Sequence, residues 1–252
     1  MAKLHATSKI TVKQLAQQTL QSLQAAADER VAAQSRVYFK SHEDVHFFGV
    51  SVPALRQIER ALYQQVKGSW TAAEAIACCE LLLKDNRHEA RMFGILLLAR
   101  FHKTYERALL GKCESWLSNN YCDNWALVDT LAPSVLAPLL RRFPDLLPQV
   151  AGWTQAENLW VRRSSVVALI PLARKGEHLD EAYANAERLF GYPEDLIHKA
   201  IGWLLREASR TDQPRLKAFL LQHGARIPRT ALRYAIERFP EAERKQLLAQ
   251  TR

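Results

Sequence analysis

The chain has 252 residues, 48% of them hydrophobic, which is enough for one large domain or a repeat array. Lys and Arg number 35 against 26 Asp and Glu, a net charge of +9, and a basic excess of that size points to a polyanionic partner, nucleic acid first. Four cysteines without a CxxC pair argue against a zinc or thioredoxin-like site, no apolar run is long enough to span a membrane, and the first residues hold no apolar signal region, so the expectation is a soluble cytoplasmic chain.

Glycine is scarce and period-2 alternation is absent, while i, i+3, i+4, i+7 spacing recurs throughout. In "ALRQIERALYQQV" it places Leu55, Ile58, Leu62 and Val66 on one helical stripe. "RMFGILLLARF" is apolar nearly all round and predicts a central helix, with His88 and Glu89 just before it read as a surface pair. Further along, "TALRYAIERF" and "AERKQLLAQ" close the chain as helices. Breaks are predicted at "FFGVSVP", "KGSW", "LAP", "RRFPD", "RKGEHLD", "GYPED" and "HGARIP". Trp70, Trp116, Trp153 and Trp160 read as structural, and the cysteines as buried small hydrophobes.

The breaks recur. "NWALVDTLAPSVLAPLLRRFPD", "LWVRRSSVVALIPLARKGEHLD" and "LIHKAIGWLLREASRTD" start about 36 residues apart, each as a polar turn, a helix, a break and a second helix. "RHEARMFGILLLARF" and "PRTALRYAIERF" fit before and after them. The predicted fold is all-α, an α-solenoid of HEAT-like helical repeats, curved with a basic concave face, and residues 1–252 are read as a single domain.

In that register one helix of each repeat carries the residues of interest. Trp125 and Asp129 are four apart and share a face. Arg162 and Arg163 follow, then His198, Lys199 and Trp203, then Arg229 and Arg233. This basic, aromatic-bearing line suits a sugar-phosphate backbone. Residues 203–252 hold 11 Lys or Arg against 5 Asp or Glu, so most of the charge lies there. Structural alternatives stand beside this reading. Trp125 at a repeat turn could be core, Asp129 could pair with Arg162 or Arg163 across the repeat, Arg206 beside Glu207 could be a solvated helix residue, and the Arg pairs at 141–142 and 162–163 could be ordinary solvated charge.

Four stretches together resemble the AlkD-like DNA alkylation repair glycosylases, a family built from HEAT-like repeats. They are "VYFKSHEDVHFFGVSVPALRQI", "NWALVDTLAP", "NLWVRRSSVV" and "HKAIGWLLREASR", in the family's order and spacing. The resemblance implies that Asp129 is the catalytic carboxylate and that Trp125 and Trp203 flank the lesion sugar. It also places Arg163 near the scissile bond, holding a backbone phosphate, and Tyr38 on the DNA-facing helices. Lys40, Arg162, Lys199, Arg206, Arg229 and Arg233 complete the expected DNA contacts. Ala126 and the pair Asp195-Leu196 depart from the family's pattern.

The implied activity is excision of positively charged N3- and N7-alkylpurines (3-methyladenine, 7-methylguanine) from duplex DNA by a monomer that needs neither metal nor cofactor. The alkylated base is already a good leaving group, so the need is for a fixed carboxylate near C1′ as oxocarbenium-like charge develops. Indole faces attract that charge by about 0.5–2 kcal/mol each. The first rival expectation is a non-catalytic repeat protein that binds damaged or branched DNA; the second, a protein–protein scaffold, is disfavoured by the basic repeat face.

Overall fold

Several helix starts in this chain are written into short polar residues. A computed structural model describes residues 9–41 and 43–252, and among these the regular structure is helical, without strands. The helices fall into two compact units, one ending at Tyr105 and one spanning Glu106–Arg252.

The first unit contains α1 (Val12–Ala25), α2 (Glu29–Arg36), α3 (Val52–Val66), α4 (Ala72–Leu83) and α5 (His88–Ala99). Thr11 and Thr71 each close a capping box with the Gln or Glu three residues on, and Asp28 and Ser51 cap α2 and α3. The α5 helix is buried nearly all round and packs against α1, α3 and α4, as its apolar sequence predicts. On α3 the expected stripe buries Leu55, Leu62 and Val66, with Ile58 at its edge. Glu59 lies in the same buried face because Arg100 meets it through bonds of 2.8 and 2.6 Å.

His88 and Glu89 are not at the surface: both are buried. Glu89 accepts the amide N–H groups of Phe48, Gly49 and Val50 at 2.9, 2.9 and 3.0 Å. Gly49 holds φ +84, and a Cβ there would meet the Asp28 carbonyl oxygen at 2.0 Å. The loop therefore needs glycine, and the Glu89 carboxylate in the first turn of α5 supplies the acceptor for its three converging amides.

The second unit runs α6 (Leu109–Ser118), α7 (Trp125–Leu131), α8 (Ala137–Arg142), α9 (Leu147–Gly152), α10 (Leu159–Val167), α11 (Ile170–Ala173), α12 (Leu179–Arg188), α13 (Asp195–Ala208), α14 (Gln213–His223), α15 (Arg229–Ala235) and α16 (Glu241–Gln250). The repeat register predicted from sequence is realised, since α7, α10, α13 and α15 pack side by side in that order. This is an all-α helical-repeat fold. At its centre Val161–Ile170 is buried without interruption.

The break expected at "LAP" is absent. Residues Ala132–Leu136 form a π turn that carries α7 into α8. Pro133 has no N–H and its ring crowds the carbonyl of Asp129, so α-helical pairing fails there. The chain answers by widening, and the Ala137 N–H reaches back five residues to the Ala132 carbonyl. Pro148 and Pro171 instead sit in first turns, where a missing donor is harmless. All four cysteines are free and buried. Burial pushes the Cys78 thiol up to about 12, and burial with the neighbouring Cys122 lifts Cys113 well above its ordinary value.

Candidate active site

Asn124 starts the site. Its side chain, almost fully buried, accepts the Leu127 N–H at 3.1 Å and so fixes Trp125 as the first residue of α7. Leu127, Val128 and Leu131 face the core. Trp125, Ala126, Asp129, Thr130 and Pro133 are left on the opposite, half-buried stripe. The shared face expected for Trp125 and Asp129 thus exists, and it is accessible.

Arg163 comes from the buried helix α10 and meets Asp129 with two parallel bonds, Nε to Oδ1 at 2.9 Å and Nη2 to Oδ2 at 2.7 Å. Its remaining Nη1 donates to the Leu196 carbonyl in the first turn of α13. The side chains of Arg163 and Asp129 are 5% and 17% exposed. The expectation that Arg163 holds a phosphate therefore fails on geometry: its guanidinium ties α7, α10 and α13 together from inside. Charge in sequence does not distinguish these roles, because the acceptors lie 33 and 34 residues away.

Arg162 is likewise buried. It donates to the Ala156 and Glu157 carbonyls at 2.7 Å each, pairs with Glu194, and stacks on Tyr192. It cannot reach a DNA backbone. Arg229, expected on DNA, is surface-exposed but donates to the Leu248 and Thr251 carbonyls, both at 3.2 Å, and so holds the last turn of α16. Arg233 on α15 is exposed. Tyr38, 76% exposed, and Lys40 belong to the first unit. The chain around them is wound on Arg36, which donates to the carbonyls of Lys40, Ser41 and Glu43.

On α13, Lys199, Trp203 and Arg206 fall on one partly exposed stripe. Lys199 pairs with Asp195 at 2.8 Å. That bond holds its ammonium above the ordinary lysine range, with the Tyr234 phenol adding to the effect and the Arg163 charge opposing it. Tyr234, which the sequence did not announce, lies in the same neighbourhood. It is partly exposed on α15, seated where α15 closes on Gly202. A Cβ at Gly202 would lie 2.4 Å from the Tyr234 Cβ and 2.6 Å from the Ala231 carbonyl oxygen, so glycine beside Trp203 is what lets α13 and α15 touch. A cavity of about 790 Å³ in the same unit is lined by other residues, Asp145, Asp180, Glu181 and Arg188 among them. No described helix is long and apolar enough to cross a membrane.

A family model described as DNA alkylation repair enzyme matches residues 19–239. The chain belongs to the DNA alkylation repair enzyme family. A solved structure of a predicted DNA alkylation repair enzyme from Enterococcus faecalis is similar in fold, with a TM-score of 0.75 at 18% identity over 85% of this chain and 97% of that one. No curated protein sequence matches. Within the DNA alkylation repair enzyme family, then, this chain carries a carboxylate fixed from beneath by a buried arginine and bordered by Trp125.

Proposed function

We propose that this protein is a DNA glycosylase that removes cationic N3- and N7-alkylpurines from duplex DNA. The observation that carries the reading is Asp129, a half-buried carboxylate held rigid by Arg163 on an accessible face with Trp125. An ionised carboxylate offers about four lone-pair sites. Arg163 occupies one on each oxygen, and the others are available to a ligand.

With a lesion nucleotide on this face, the C1′–N bond breaks and its electron pair leaves with the base, which becomes neutral. The positive charge shifts to the deoxyribose, where the Asp129 carboxylate stabilises it. Water then adds to C1′ and gives up a proton, leaving an abasic site. Preorganisation is the contribution of Arg163: a carboxylate already locked in place needs no reorientation as the charge forms. Trp125 and Trp203 supply indole faces for the cationic sugar and its C–H bonds. Lys199, Arg206, Arg233, Tyr38 and Lys40 are the cations and donors proposed for the backbone.

The test is release of 7-methylguanine and 3-methyladenine from methylated duplex DNA by the wild type and by Asp129→Asn. A fall of about tenfold or more in the variant is expected, equivalent to about 1.4 kcal/mol of transition-state stabilisation. No release by either protein, with salt-sensitive DNA binding intact, would leave a non-catalytic binder of damaged or branched DNA.

A further inference from the structure

Glu207 lies one helical turn beyond Trp203 on α13 and is 1% exposed. A carboxylate is rarely buried without partners, and this one gathers four arginines. Arg174 donates from Nε to Oε2 at 2.7 Å, and Arg238 from Nη2 to Oε1 at 2.9 Å. Arg210 Nη1 stands 3.5 Å from Oε2, and Arg206 Nε 3.7 Å from Oε1. These groups come from three places in the chain: the end of α11, the last turn of α13 and its exit, and the segment after α15.

The balance of charge and donors is lopsided. Arg206 is answered by Glu237. The other three arginines share one carboxylate, which leaves two positive charges over. Their side chains are 48%, 49% and 48% exposed for Arg174, Arg210 and Arg238. Each guanidinium carries five N–H donors in a planar fork, and each of the three directs a single N–H to Glu207. A network built only for stability would not need three half-exposed forks on one anion. About half of each of these side chains stays open to solvent around a common, buried anchor.

We propose that Arg174, Arg210 and Arg238, held together by Glu207, form a phosphate clamp. Its ligand is a phosphate group of the DNA backbone, gripped next to Trp203, and that assignment rests on the reading of this face as a DNA surface. Forked guanidiniums match phosphate oxygens two at a time. Lys199, Trp203, Arg206 and Arg210 follow one another along α13 at spacings of four, three and four, so the clamp continues the proposed contact stripe past the helix end. Glu207 is a positioning residue here; it touches no ligand.

The experiment measures affinity for an undamaged duplex as a function of salt, for the wild type and for the double variant Arg210→Gln, Arg238→Gln. Glutamine keeps an N–H for Glu207 and removes the charge, and Arg174 remains in place. The slope of log K against log salt is expected to shrink by about 1 to 2 units. Glu207→Gln supplies the opposite control. It makes the chain one charge more positive, so a plain basic surface would bind DNA more tightly, whereas a clamp that has lost its anchor binds more weakly. If Glu207→Gln fails to fold, the double variant still decides, with thermal unfolding as its check.

An unchanged slope in the folded double variant overturns the clamp, and so does tighter binding by Glu207→Gln. Stabilisation by inorganic phosphate alone, read as a thermal shift that the double variant loses, marks the site as one for free phosphate, and without the slope change it overturns the DNA assignment. Base release is read in parallel. Its absence from the wild type, together with a reduced slope in the double variant, would sink the glycosylase reading and leave the clamp standing.

Discussion

Arg163 and Asp129 form a bidentate pair in which the cation is the more deeply buried partner. The arrangement makes the arginine dependent on the aspartate as much as the reverse. Replacing Asp129 by Asn leaves Arg163 inside the fold with a neutral acceptor and the Leu196 carbonyl. A stability loss of about 1–3 kcal/mol is expected, measured by urea unfolding. Base release must therefore be compared well below the variant's midpoint. Full activity in a folded Asp129→Asn protein would remove Asp129 from the chemistry.

Arg162 and Arg233 make opposite predictions although both were candidates for DNA. Arg162 is enclosed by the Ala156 and Glu157 carbonyls, Glu194 and the Tyr192 ring. Arg162→Ala should cost about 1–3 kcal/mol of stability, leaving the salt dependence of DNA binding unchanged in the folded protein. Arg233→Gln should do the reverse, shrinking the slope of log K against log salt by about 0.9 at unchanged stability. A slope change in Arg162→Ala alone would reverse these assignments.

The contrast shows what the sequence can and cannot express. Repeats were readable because buried apolar positions recur at helical spacing, and α7, α10, α13 and α15 pack in the predicted order. Asp129 and Trp125 were readable because four-residue spacing puts them on one face. The burial of Arg162 and Arg163 was not, since it depends on Glu194, Leu196 and Asp129, all more than thirty residues away. Glu89 looked like surface charge because the three amides that need it come from a loop about forty residues earlier. At "LAP" the proline predicts a break, but a π turn absorbs it. Tyr234 carries no signal in "TALRYAIERF", because only the close approach at Gly202 brings its helix against α13.

Gly202 should be intolerant of even one methyl group. The added Cβ would stand 2.4 Å from the Tyr234 Cβ and 2.6 Å from the Ala231 carbonyl oxygen, so no rotamer change relieves it. Helices α13 and α15 must separate. Gly202→Ala is expected to cost about 1–3 kcal/mol by denaturant unfolding, and to disturb the indole environment of Trp203 next door. Tyr234→Ala should not rescue it, because alanine keeps its own Cβ. Wild-type stability in Gly202→Ala would show that the two helices are free to shift.

Acid should loosen this protein in part through Glu74 and Glu207, two of the carboxylates whose protonation the folded state resists. Glu74 is held down to about 2 from an ordinary 4.5, first by its bond from Lys9 and then by the Thr71 cap. Glu207 is pushed upward by burial, but Arg174, Arg238 and Arg206 together outweigh that and leave it below its ordinary value. A group with a depressed folded pKa binds its proton more readily when unfolded. Its contribution is therefore present in full above the ordinary glutamate range and is lost as pH falls through the folded value. Stability measured from pH 7 downward should stay level with respect to these two groups until about pH 5, then fall steadily, with the Glu74 part exhausted only near pH 2. In Glu74→Gln the fall should be shallower and the neutral-pH stability lower. An acid limb identical to that of the wild type would show that Glu74 has the same proton affinity folded and unfolded.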